Sequence, residues 1–99
     1  MNKQRVSNLL GLAQRAGKII SGEEMVVKAI QEQKAKLVFP AHDAAPNLTK
    51  KIQDKSHYHQ VKVVTVFSTL ELSIAVGKSR KVLAVTDAGF TKKMRSLME

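Results

Sequence analysis

The chain has 99 residues, 43 % of them apolar and none of them cysteine, and it sets 17 Lys and Arg against 8 Asp and Glu for a formal net charge of +9. This length fits one domain and is too short for two; the lack of cysteine excludes a disulfide framework, a thiolate nucleophile and a thiolate metal site. No run approaches the ~20 apolar residues of a membrane span, and the surplus of positive charge points to a polyanion, with nucleic acid ahead of an anionic membrane surface.

The opening segment "MNKQRVSNLLGLAQRAGK" has no h-region and no cleavage site, so the expected location is the cytoplasm. Val6, Leu9, Leu10 and Ala13 recur at helical spacing and predict a helix over Lys3–Ala16, stopped by Gly17. "KII" (Lys18–Ile20) predicts a short strand. In "SGEEMVVKAI", Ser21 and Glu24 have the spacing of a capping box, so a helix is expected from there to about Gln33. "KLVFP" (Lys36–Pro40) predicts a buried strand. Pro46 suits the first turn of the next helix, with Leu48 and Ile52 on one face. "VKVVTVF" (Val61–Phe67) is rich in β-branched residues and predicts a full strand. A helix capped by Ser68 or Thr69 and stopped by Gly77 follows, then the basic loop "KSRK". "VLAVTD" (Val82–Asp87) predicts a strand, and "AGFTKKMRSLME" a closing helix. Such alternation argues for a single three-layer α/β/α domain, a central sheet with helices on both faces.

Nothing in the chain demands catalysis. Glu23 and Glu24 are adjacent, so on a helix their side chains diverge by about 100° and do not converge as an acid–base pair. They form an acidic island in a basic chain, since residues 1–20 hold four basic and no acidic side chains. His57 and His59 in "SHYHQ" have an i, i+2 spacing that ligates a metal only from extended chain, and a solvated loop is expected there. "AVGKS" lacks the upstream glycine of a phosphate-binding loop. No cofactor and no metal site is expected.

Three features fall at one end of the expected sheet: the Ser21–Gly22 turn with a helix N-terminus behind it, the loop Ala41–Pro46, and the loop Gly77–Lys81. A helix N-terminus offers free N–H donors. Lys28 follows Glu24 by four positions and shares its face, and Arg80 can make a forked contact with phosphate or guanine. Each also has a plain structural reading, as a helix cap, an i, i+4 pair or a solvated loop; the combination points to RNA. No strand carries the paired aromatics that stack bases, so a structured RNA read by shape is expected over a single strand.

"SGEEMVVKAI", "KLVFPAHDAAPNLTKKI" and "VVTVFSTLELSIAVGKSRKVLAVTDAGF", in that order, resemble the kink-turn-binding ribosomal-protein family. This family includes the archaeal large-subunit protein that also serves in guide-RNA particles. The resemblance covers residues 5–98, and it rests on the ordered set of segments. It implies an α/β/α sandwich with a mixed four-stranded sheet. It also implies a kink-turn ligand, an RNA helix sharply bent at a bulge beside tandem sheared G·A pairs. The family's turn is written G-x-N-E-x-x-K. Gly22 and Lys28 keep its outer spacing, while Glu24 stands at the Asn and Met25 at the Glu. Gly77, Ser79 and Arg80 match a second contact loop, and Asp43 and Pro46 match a "D-x-x-P" segment. Ser73 replaces a glycine common in the family, and Glu32 a basic residue.

The resulting expectation is a non-enzymatic, monomeric protein that binds a bent structured RNA, with a ribosomal RNA or an mRNA leader as carrier. Its expected contacts are Lys18, Gly22, Glu23, Glu24, Met25, Lys28, Asp43, Gly77, Lys78, Ser79, Arg80 and Lys81. The alternative is a ribosome-associated protein-interaction module with only loose attraction to RNA.

Overall fold

The computed structural model describes all 99 residues. Five helices and four strands alternate: α1 (Lys3–Arg15), β1 (Ile19–Ser21), α2 (Glu23–Gln31), β2 (Leu37–Pro40), α3 (Pro46–Tyr58), β3 (Lys62–Val63), α4 (Thr69–Val76), β4 (Val82–Val85) and α5 (Ala88–Met98). The sheet order is β1-β4-β2-β3. β4 runs antiparallel to both β1 and β2, and β2 runs parallel to β3. The sheet is therefore mixed.

The alternation of side chains along β2 and β4 divides the interior into two cores. Leu37, Phe39, Leu83 and Val85 face a core of 14 buried residues that includes Val6, Leu10, Leu72 and Met94 from α1, α4 and α5. Val38, Val82 and Ala84 face a core of 8 buried residues that includes Val26, Ile30 and Ile52 from α2 and α3. Both faces of the central strands are thus covered, which is why "VLAV" and "LVFP" read as continuous apolar runs. Phe39 is fully buried, and truncating it to Ala is expected to cost ~3–5 kcal/mol. Gly11 allows α1 and α4 to cross closely, since a Cβ there would lie 3.0 Å from the Ala75 carbonyl oxygen.

Three local expectations need correction. The strand expected over Val61–Phe67 is a ladder only at Lys62–Val63. β3 is an edge strand, and its pairing with β2 ends once the Val64 N–H reaches the Val38 carbonyl. Beyond that the chain leaves the sheet to bury Phe67 and to accept a bond from the His42 N–H. The β-branched residues favour extended backbone, and here it lacks a partner strand. Second, Ser21 and Glu24 form no capping box. β1 lies one residue later than "KII", so Ser21 pairs with Leu83 in the ladder and Gly22 takes the N-cap with no side-chain cap. The chain's capping box is at Ser68 and Glu71, which opens α4. Third, α3 continues to Tyr58, so His57 stands in its last turn and not in a loop. No group of His, Cys, Asp or Glu is arranged to hold a metal ion, and no helix is long and apolar enough to cross a membrane.

Candidate nucleic-acid interface

The antiparallel pairing of β4 with β1 and β2 brings Ser21, Pro40 and Val82 to the same end of the sheet. The turn after β1, the loop after β2 and the loop that precedes β4 are gathered there. The Gly22 N–H donates to the Val82 carbonyl at 3.2 Å, and the Ala41 N–H to the Lys81 carbonyl at 2.9 Å. The turn, the loop after β2 and the loop before β4 are thus tied together through the backbone.

Gly22 turns the chain with φ 94°, a conformation that L side chains rarely adopt. A Cβ there would meet nothing within 4 Å, so the requirement for glycine is conformational and not steric. The first bond into α2 runs from the Val26 N–H to the Gly22 carbonyl, so the N–H groups of Glu23, Glu24 and Met25 are left without partners. They form a donor cluster at the positive end of the helix dipole. Glu24 is exposed and makes no ion pair or hydrogen bond, and the neighbouring Met25 is 56 % exposed. Glu23 is engaged: Lys51 Nζ on α3 donates to its Oε2 at 3.2 Å. The Glu24–Lys28 pair, the plain structural reading of that spacing, is absent from the ion pairs, which leaves the Lys28 ammonium free.

Arg80 is the most constrained residue of the site. Its Nε donates to Ser21 Oγ at 2.8 Å and its Nη1 to the Ser79 carbonyl at 2.7 Å. Its backbone is held by Ser73 on α4, whose Oγ accepts from the Arg80 N–H at 3.0 Å and donates to the Arg80 carbonyl at 3.4 Å. Gly77, in the left-handed conformation, ends α4 and starts this loop. Two of the five guanidinium N–H groups are used internally, so the rest remain available as a planar fork. Lys78 and Lys81 flank it and are exposed. Ser73, which stands at the resembled family's glycine, is thus the anchor of the loop.

Asp43 has a structural task in this end of the fold. Its Oδ1 accepts from both the N–H and the Oγ1 of Thr69, each at 2.8 Å. These bonds from Thr69, the side-chain one first, hold its carboxyl below its ordinary value of 3.8. Glu71 is likewise held below its ordinary value of 4.5, first by the Lys3 ammonium at 2.9 Å and then by the Ser68 N–H. The start of α4 therefore has two carboxylates, one from a capping box and one from a distant loop.

Of the twelve expected contacts, the fold gathers Gly22, Glu23, Glu24, Met25, Asp43, Gly77, Lys78, Ser79, Arg80 and Lys81 at one end, with Lys28 one turn along α2. Lys18 is not among them. Its carbonyl accepts from the Thr86 N–H beyond the far end of β4, so Lys18 belongs to the opposite end of the sheet. Sequence reasoning noted Ser73 only as a departure from the resembled family and missed its anchoring role, as it missed Ser21 as the partner of Arg80 and Lys51 as that of Glu23. The Lys51–Glu23 bond spans 28 positions and the Arg80–Ser21 bond 59, so neither leaves a local signal.

Comparison with known proteins bears on the family and the fold. "RNA-binding protein YlxQ" of Enterococcus faecium is 48 % identical over 98 residues, covering 99 % of this chain and 95 % of the relative. The protein of the same name from Bacillus subtilis (strain 168) is 47 % identical over 92 residues, 92 % of each chain. A solved structure described as a protein with unknown function from Bacillus halodurans C superposes with a TM-score of 0.90 at 41 % identity, covering 95 % of this chain and 96 % of that one. Residues 4–95 match the Ribosomal protein L7Ae/L30e/S12e/Gadd45 family. On that match, and on relatives 47–48 % identical over nearly the whole chain, the chain belongs to that family.

Proposed function

We propose that this protein is a non-enzymatic RNA-binding protein that holds a kink-turn or a similarly bent structured RNA at the Gly22–Arg80 end of its sheet. The observation that carries the reading is the Ser73–Arg80–Ser21 relay, which fixes a guanidinium fork beside the free N–H donors of α2. Preorganised donors lose little entropy on binding, and a bent backbone brings phosphates from two directions to such a cluster. Lys28, Lys78, Arg80 and Lys81 supply phosphate contacts and a salt-dependent affinity. Glu24 and the α2 N-terminus supply selectivity: a carboxylate accepts from the N1–H and N2–H edge that a sheared G·A pair leaves exposed on guanine. The relatives called RNA-binding proteins support the same reading. So does the net charge of +9.

Titration of a kink-turn RNA against Lys28→Ala and Arg80→Ala tests the assignment. Both variants are expected to fold and to bind at least ~10-fold more weakly, the scale of one charge-assisted contact. Undiminished binding by both would remove the site. One observation favours the second reading, a protein-interaction module of the ribosome: Leu70 and Ile74 stand 69 % and 71 % exposed on α4. A partner protein captured by wild type and lost on Leu70→Ser, with no preference for bent RNA, would select that reading instead.

A further inference from the structure

A broad groove of about 670 Å³ runs along the outer face of α3, with Gln31 of α2 on its other side. Asn47, Lys50, Lys51, Lys55 and Tyr58 line it. It starts beside the turn site, because Asn47 is in the first turn of α3 and Lys51 touches Glu23 at the start of α2. It ends at Tyr58, about 16 Å further on at 1.5 Å per helical residue. Lys50 and Lys55 form no ion pair. Asp54 also lies in the groove and offsets one of its three lysines.

Tyr58 decides what the groove suits. It is 81 % exposed, and its ring meets that of His59 edge-on, at 4.9 Å between centroids. A solvated lysine face would account for the ammonium groups but not for an aromatic ring standing in water among them. A protein partner needs several apolar anchors in the centre of its footprint, and Tyr58 is the single hydrophobic residue in this lining. A single nucleic-acid strand needs the combination present: cations along a groove for phosphates and a ring face for a base.

We propose that the α2–α3 groove is a second RNA surface, which takes a single-stranded segment flanking the bent RNA: Lys50 and Lys55 hold its phosphodiesters and Tyr58 stacks one of its bases. The proposal rests on the RNA-binding reading of the chain, and it places a different segment of RNA on a different set of residues.

The test compares the bent RNA alone with the same RNA carrying a tail of about ten uridines at its 5′ or its 3′ end, within the range of strand lengths such grooves hold. At one of the two ends the tail is expected to tighten binding by wild type ~10-fold, the scale of one stacked base. Tyr58→Ala should abolish that gain and leave the affinity for the tail-less RNA unchanged, and Tyr58→Phe should retain the gain. The double variant Lys50→Ala, Lys55→Ala should lower the salt dependence of the tail's contribution. Arg80→Ala should weaken the tail-less RNA while keeping the gain from the tail, which separates this proposal from the turn-site reading. No gain from a tail at either end overturns the proposal, as does a gain that Tyr58→Ala leaves intact. Equal competition by a polyglutamate peptide and a uridine oligomer of the same charge would assign the groove to acidic protein segments and also overturn it.

Discussion

Arg80 Nε donates to Ser21 Oγ at 2.8 Å across 59 positions of sequence, linking the loop before β4 to the last residue of β1. The bond fixes the guanidinium next to the N–H groups of α2, whose N-cap Gly22 has no side chain to offer them. Ser21→Ala should therefore weaken RNA binding ~3- to 10-fold while changing stability by no more than ~1 kcal/mol, the net worth of one hydrogen bond. Arg80→Lys should not restore wild-type affinity, because an ammonium cannot hold Ser21 and present a fork together. Isothermal titration with urea denaturation of the same variants measures both quantities.

Ser73→Gly should be harmful. It removes the hydroxyl that holds the Arg80 backbone from both sides and places glycine inside an eight-residue helix. A loss of ~1–2 kcal/mol is expected from the two effects, with weaker RNA binding in proportion to the freedom gained by the loop. A denaturant midpoint equal to that of wild type would contradict the anchoring role.

Glu24 is free of the capping task that its spacing suggested, and its carboxylate is held by no hydrogen bond or ion pair. Glu24→Gln should leave the thermal midpoint within about 2 °C, as for a surface substitution. Its effect should fall on discrimination: the preference for guanine over N1-methylguanine at the sheared pair should shrink, since the methyl group blocks the N1–H donor and leaves the N2–H that holds the pair in place. Unchanged discrimination would return Glu24 to a helix-dipole role alone.

Acid stability should reflect the start of α4. In the folded chain Asp43 and Glu71 both titrate below their ordinary values of 3.8 and 4.5. Lowered native values mean that the unfolded chain binds the protons more readily, so these contacts stabilise fully above about pH 5 and are lost as pH falls through the lowered native values. Urea midpoints should stay flat between pH 7 and 5, as far as these two groups contribute, and drop below about pH 4. Asp43→Asn should lower the midpoint at pH 7 and flatten the acid limb, because the amide no longer titrates. An unaltered acid limb in that variant would contradict the role of the Thr69 bonds.

The layers of the fold were legible because they rest on periodicity, which is local. Val6, Leu9, Leu10 and Ala13 announce α1, and "VLAV" announces a strand buried on both faces. β3 was over-read, because β-branched residues record a preference for extended backbone and not the presence of a neighbour to pair with. The Ser21–Glu24 box was misread for a similar reason: the spacing shows that a cap is possible, while the ladder partner Leu83 and the donor Arg80 that claim Ser21 lie about sixty residues away. That the Ser21–Gly22 turn and the loops Ala41–Pro46 and Gly77–Lys81 share one end of the sheet was legible from the alternation of elements. The site's internal wiring through Ser73 and Lys51 was not, since those contacts exist only after α4 and α3 have packed.

The central claim is selective recognition of bent RNA by the Gly22–Arg80 end. The most direct measurement is a parallel titration, at fixed salt, of one kink-turn RNA and of the same RNA with its sheared G·A pairs replaced by Watson–Crick pairs. The account predicts binding at least ~10-fold tighter to the intact kink-turn, a difference of about 1.4 kcal/mol. Equal affinities for the two RNAs would contradict it.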